Sequence, residues 1–415
     1  MFRISNLIYL YFILLSFAPI VCFLDYSTVN QGFYKIYGAT LLLISLALLI
    51  RKGVNNSRFD GLIVAALVVY AYYLGWDVIL QQGTYARKGF VFDAFVNPFL
   101  HIACLIFVVD NYKIPESLIK LLVKIFIGTI MASFVVSLIQ FVHDPFFFAP
   151  DELAAYARQM GAADDAFEVR RTSIFGYIGM LEVSQSFLPI MALVTAYYAK
   201  VKHKIPFVWL IMGLVVVFAT NSRFVQVGFL MTLMPLLILG KSKWRTLLII
   251  SFATPIIVLV FVQVLVFTGF DIDSYIQNRI LANSASTRLL AFEIFQKFFG
   301  KNPWFGSGVH LSNEVIVALA GRSSQIHVGY LAHLYSYGII GSFFAFGFWF
   351  LIARRFYRTA KITQFWGSFI GMGVFLWANV TLVYYIIFTY GLMMSFLFDR
   401  YYLNKHYEEV SKENT

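Results

Sequence analysis

One histidine and a small set of arginines carry most of the chemistry available to this chain. His327 lies in "RSSQIHVGYLAHLYSYGIIGS", residues 322–342, where Arg322, two serines and a glutamine stand before a long apolar run. A neutral imidazole near pH 7 suits a general base. The bland alternative is a satisfied histidine at a helix interface. Arg223 lies in "FATNSRFVQ" between two apolar runs, 205–220 and 224–239. At 1.5 Å per residue each run spans about 24 Å, short of the ~30 Å hydrocarbon core. The turn that holds Arg223 is therefore drawn to headgroup level or below, where an unmatched charge costs on the order of 2.5–3.5 kcal/mol. Glu182 or an anionic ligand could match it. Arg288, in "STRLLAFEIFQKFF", and Arg170 with Arg171, in "FEVRRTS", complete the set. Guanidinium forks fit phosphate oxygens bidentately. Singly, each of these arginines reads as a solvated loop charge or a headgroup contact. Three arginine sites on one face read as a pyrophosphate site.

Other chemistries lack their signatures. There is no phosphate-binding Gly-rich loop, no dinucleotide fingerprint after a strand and no HExxH, and no Cys/His cluster has metal spacing. Asp271 and Asp273 form a lone Asp-x-Asp pair. Cys22 and Cys104 both lie in apolar runs and read as packing residues.

The elements that position these residues are membrane helices. The chain has 415 residues, 60% hydrophobic and 13% charged, and this balance excludes an ordinary soluble domain. Its net charge of +11 is spread in small clusters between apolar runs, so a nucleic-acid surface is not expected. Apolar runs predict helices over 4–24, 33–50, 60–80, 94–110, 118–142, 173–199, 205–220, 224–239, 246–269 and 326–353. The stretch 365–398 is long enough for a hairpin of two, turning near Asn379, which makes about twelve spans in an all-α polytopic protein. The first run has no convincing cleavage site and reads as a retained helix.

With both termini in the cytoplasm, 20 of the 32 basic residues fall in short inner segments, as the positive-inside rule requires. Residues 1–415 then form a single integral membrane domain. It has two long outer loops, 143–172 and 270–325, and a cytoplasmic tail over 400–415. The first loop, with "DELAAYARQMGAADDAFEVRR", predicts a short amphipathic helix. The second predicts a helix capped by Ser284 or Ser286 and closed by Gly300 and Pro303. On an unbroken helix, Gly338, Gly341 and Ala345 follow His327 at +11, +14 and +18 on one face. That stripe of small residues would admit a neighbouring helix closely.

Residues 170–345 resemble the core of the O-antigen ligase/polymerase superfamily. The pattern is an arginine opening a helix (Arg288), then Pro303-x-x-Gly306-x-Gly308, then His327, then Gly338-x-x-Gly341. "TNSRFVQVGF" is similar to the family's Ser/Thr-Arg that opens a span, with Arg223 in that place. "RRTSIFGYIGMLEVSQSF" is similar to the entry of its middle helix, with Arg171 and Gly176 matching. Val328 stands where the family often has Asn, and Glu182-Val183 lies near the place of a common Pro-Asn. The missing His-Asn pair tilts the reading toward a polymerase.

The resemblance implies glycosyl transfer at the outer face of a bacterial inner membrane, from an undecaprenyl-pyrophosphate-linked oligosaccharide. The acceptor would be a sugar hydroxyl, on another lipid-linked repeat for a polymerase or on lipid A-core for a ligase. No metal, cofactor or nucleotide sugar is implied, and a chain-length regulator protein is a further expected partner. In this scheme His327 is the base, and Arg223, Arg288 and Arg171 hold the pyrophosphate. Arg322, Glu182 and Arg170 give support. A lipid-linked sugar transporter or flippase is the reading from another class. Such proteins often show internal repeats, and none is visible here.

Overall fold

A computed structural model describes residues 4–17, 26–80, 98–144, 147, 173–174, 186–220, 223–239, 286–307, 328–380 and 390–413. Among these residues every regular element is helical. The helices are α1 (Ile4–Ser16), α2 (Tyr26–Lys52), α3 (Gly61–Leu80), α4 (Pro98–Asn111), α5 (Glu116–Val142) and α6 (Leu188–Tyr197). They continue as α7 (Phe207–Ala219), α8 (Arg223–Thr232), α9 (Met234–Leu239), α10 (Ser286–Phe299), α11 (Gly329–Thr363), α12 (Gly367–Ala378) and α13 (Tyr390–Glu413). α5 and α11 are each long and apolar enough to cross a membrane, and shorter apolar helices surround them. This is the helical bundle of a polytopic membrane protein, since backbone polar groups in hydrocarbon must be satisfied within the helix.

The bundle has two distinct ends. At one end α3 begins, α4 ends, α5 begins, α11 ends and α13 runs out. Arg355 of α11 joins them, 2.8 Å from Asp110, 3.1 Å from Asp60 and 3.4 Å from Asp399. Lys113 meets Glu408 there at 2.7 Å, and Lys200, just beyond α6, donates to the Thr363 carbonyl. The other end collects the end of α1, the starts of α6, α8 and α13, and the ends of α5 and α12. Tyr390 Oη donates to the Ser16 carbonyl across it.

Between the ends lies one apolar core. Phe126 of α5 packs on Tyr390 and Phe398 of α13, and Trp349 of α11 packs on Phe375 of α12. Ile8, Phe12 and Leu15 bury α1 in the same core. Cys104 is buried and free, with its carbonyl accepting from Ser45 Oγ.

Several boundaries differ from the hydropathy reading. The stretch 365–398 is indeed two helices, α12 and α13, held side by side by Ser368 Oγ donating to the Ser395 carbonyl at 2.8 Å. α13 stays helical through Glu413, although it becomes polar and exposed beyond Tyr402. Ser173 and Ile174 form a turn, with Ser173 at φ 52°, where a helix start was expected. The second short run is broken at Leu233 into α8 and α9. The expected span 246–269, most of both long outer loops and Cys22 lie outside the described residues.

Candidate functional site

The largest departure from the sequence reading is at Gly338. α11 is not straight there. Gly338 has φ 67° and ψ −171°, a conformation essentially restricted to glycine. Residues 303–307, the segment after α10, seat against the break. Ile339 N–H donates to the Pro303 carbonyl at 2.9 Å and Ile340 N–H to the Trp304 carbonyl at 3.1 Å. Ser307 N–H donates to the Tyr335 carbonyl at 2.8 Å. The loop thus satisfies the backbone groups that the break would strand in an apolar setting. Gly306 is also at positive φ, 79°, and a Cβ there would lie 2.5 Å from Gly338 N and from Ser336 O. A Cβ on Gly338 would strike the Trp304 carbonyl. The Pro-x-x-Gly of the loop and the first glycine of the Gly-x-x-Gly are therefore two halves of one backbone joint.

The joint folds α11 back on itself. His333 Nδ1 and Ser342 Oγ lie 2.9 Å apart, whereas residues nine apart on a straight helix are separated by about 13 Å. The Tyr330 and Phe346 rings, sixteen residues apart, have centroids 5.6 Å apart. Residues 329–337 form a short first leg, and residues 339–363 form the membrane-length second leg. The wheel that placed His327, Gly338, Gly341 and Ala345 on one face is therefore wrong, because it assumed an unbroken helix. Gly341 does admit a close neighbour: a Cβ there would sit 2.6 Å from the Tyr72 ring of α3. Tyr73, one residue on, hydrogen-bonds His333 Nε2, and Tyr72 Oη donates to the Tyr337 carbonyl at 3.2 Å.

The first leg is the element that follows His327. Val328, the next residue, is the N-cap of α11 and is buried. It shares one apolar cluster with Ala332 and Tyr335 of the leg and with Ala291 and Ile294 of α10. Arg288 lies one turn before Ala291 on α10. On the other flank, Tyr330 Oη donates to the Leu376 carbonyl of α12 at 2.5 Å. The next residue, Trp377, stacks on Phe224 at 4.7 Å and donates Nε1–H to the Phe224 carbonyl at 3.0 Å. Phe224 follows Arg223, the first residue of α8. Leu188, the first residue of α6, packs beside Gly228 of α8.

The backbone thus brings the starts of α8 and α11, and the face of α10 one turn past Arg288, to one region. His327, Arg322, Arg170, Arg171 and Glu182 lie outside the described residues. Of Arg223 and Arg288 the structure describes the backbone. Ser173, two residues after Arg171, is anchored to α5, with N–H to Gln140 Oε1 and Oγ to the Ser133 carbonyl, both at 2.9 Å. α7 and α8 have 13 and 10 residues, and α9 follows α8 to Leu239. Tyr330, His333, Ser342 and Trp377 escaped the sequence reading. Aromatic and small polar residues in apolar runs look like packing, and only the fold gives them partners: the break at Gly338 pairs His333 with Ser342, and the α8–α12 packing seats Trp377.

No curated protein matches this chain. Residues 207–346 match a family model described as O-antigen ligase. The match begins at the first residue of α7, contains Arg223, Arg288, His327 and the loop–glycine joint, and ends at Phe346, where Tyr330 packs. The stretch that carries the motif residues and the loop–glycine joint is thus similar to the O-antigen ligase family.

Proposed function

We propose that this protein is a polysaccharide polymerase that moves an oligosaccharide from undecaprenyl pyrophosphate onto a sugar hydroxyl of another lipid-linked repeat. His327 removes the acceptor hydroxyl proton, and the oxygen attacks the anomeric carbon. The bond from that carbon to the pyrophosphate oxygen breaks, and undecaprenyl pyrophosphate leaves with the electron pair. Arg223, Arg288 and Arg171 bind the pyrophosphate and stabilise the charge that develops on it, so no metal is needed. Arg322, Arg170 and Glu182 support this set.

The observation that carries this reading is the convergence of α8, α10 and the first leg of α11. Tyr330, Leu376, Trp377 and Phe224 link the starts of α11 and α8, and the Val328–Ala291 cluster links α10 to the leg. Helix starts favour anions, and two of the three open within one turn of an arginine. The site faces the periplasm of the bacterial inner membrane, with both termini cytoplasmic and a chain-length regulator as a protein partner. The charged end of the bundle, with Arg355, Lys113 and Lys200, is the cytoplasmic one.

A ligase acting on lipid A-core is the second reading, favoured by the description of the matching family. The polymerase is preferred because a valine follows His327, and Val328 is committed to apolar packing. The purified protein in detergent, given lipid-linked repeat units alone, separates these. A polymerase makes a ladder of lengthened glycan. A ligase makes product only when lipid A-core is added.

A further inference from the structure

We propose that Tyr330 and Trp377 are positioning residues, which together fix the spacing between the start of α11 and the start of α8. The proposal rests on the assignment of His327 and Arg223 above and extends it to a helix, α12, outside the matched stretch.

The first leg of α11 spans only residues 329–337, and its far end is fixed by the Gly338 joint. Its near end packs on α10 through Val328 and Ala332, and a second tether fixes it toward α12 and α8. A leg this short is marginal as a helix by itself. Tyr330 is the second residue of the leg and the third after His327, and it supplies that tether through the 2.5 Å bond to the Leu376 carbonyl. Leu376 is among the last four residues of α12, whose carbonyls a helix cannot satisfy internally. The phenol therefore fills an acceptor that needs a donor, and this fixes it in direction as well as distance.

The adjacent residue of the same helix does the matching task for α8. Trp377 lies flat on Phe224, with rings 7° from parallel, and its indole N–H reaches the Phe224 carbonyl. A Cβ on Gly228 would lie 3.5 Å from Trp377, so the indole lies along the first two turns of α8. Two successive residues, 376 and 377, thus hold the backbone three residues after the proposed base and one residue after the proposed pyrophosphate ligand. A rigid ruler between base and leaving-group site is what a near-attack geometry requires, since a misplacement of about 1 Å can cost a factor of ~10² in rate.

The test uses the purified full-length protein with a synthetic lipid-linked repeat, with rates normalised to monodisperse protein. Tyr330→Phe keeps the ring on Phe346 and loses only the hydroxyl. It should lower kcat about tenfold, within the range open to a misplaced base, and leave KM for the donor unchanged. Trp377→Phe keeps a ring for stacking but loses the N–H, and should raise donor KM as well as lower kcat. Phe346→Leu removes the ring contact but not the hydroxyl, and should keep kcat. A Tyr330→Phe protein with wild-type kcat, or a Phe346→Leu protein with the same loss, would overturn the proposal. His327→Gln and Arg223→Lys run alongside. If both are fully active, the functional reading itself fails. If both are impaired while Tyr330→Phe is not, only the positioning role fails.

Discussion

The two ends of this bundle are built from different materials. At the charged end Arg355 is 12% exposed and is enclosed by Asp60, Asp110 and Asp399, while Arg400 also approaches Asp110 at 3.4 Å. Asn111 ties in the neighbouring loop through Arg58, accepting from its N–H at 2.8 Å and donating to its carbonyl at 2.9 Å. Among the described residues, both buried carboxylates, Asp110 and Asp399, pair with Arg355. The opposite end is held by glycine backbone, carbonyl acceptors and neutral side chains: the Gly306–Gly338 joint, the Tyr73–His333–Ser342 clasp, and Tyr330 with Trp377 on α12. An arginine whose charge is used by the fold is architecture. At the other end, among the described residues, neutral groups hold the frame.

Substitutions should separate the two ends, by stability at one and by activity at the other. The largest effect is expected from Arg355→Ala. It strands buried carboxylates and should cost about 3–5 kcal/mol, read as a lower unfolding temperature in detergent, with normal specific activity in the protein that remains folded. Gly338→Ala comes next. Strain at its backbone conformation alone is worth about 1–3 kcal/mol, and the clash with the Trp304 carbonyl adds to it. Unlike Arg355→Ala, it should also abolish transfer in whatever protein folds, because it reorients the leg that follows His327. Loss of activity on Arg355→Ala, or its retention on Gly338→Ala, would break the comparison.

Ser342→Ala should have a smaller effect. It removes one hydrogen bond to buried His333 across the fold and should cost about 1 kcal/mol, the net worth of a typical hydrogen bond. The smallest effect concerns Lys113 and Glu408, a pair 82% and 53% exposed. Lys113 holds the Glu408 carboxyl below its usual value. A lowered carboxylate pKa contributes stability above the unfolded value and loses it as pH falls through the folded one. Glu408→Gln should therefore leave unfolding at neutral pH almost unchanged, and any difference from wild type should vanish in acid.

Much of the architecture was legible because it follows from continuous runs. Apolar stretches announce α5, α7 and the α12–α13 pair, and α10, Ser286–Phe299, lies where a helix closed by Gly300 was expected. The motif spacing pointed to Pro303, Gly306, Gly338 and Gly341, and the fold does bring the first three together. What the spacing could not disclose is their use. A glycine in an apolar run reads as a small residue on a helix face, and the break appears only once carbonyls of a loop 35 residues upstream are seen accepting from Ile339 and Ile340 N–H. The Arg355 hub was hidden for a similar reason. Its carboxylates come from positions 295, 245 and 44 residues away, so in the chain it looks like one more basic residue near a helix end.

In the proposed function, α8, α10 and the first leg of α11 converge to serve His327 as the base of glycan transfer. The most direct measurement is the initial rate of chain extension by purified His327→Gln on a lipid-linked repeat, beside wild type in the same detergent. Glutamine keeps size and hydrogen bonding but cannot accept the proton at neutral pH. With His327 as the base, a loss of about 10²–10⁴ in kcat is expected, with folding and donor binding retained. A His327→Gln protein that extends glycan as fast as wild type would contradict it.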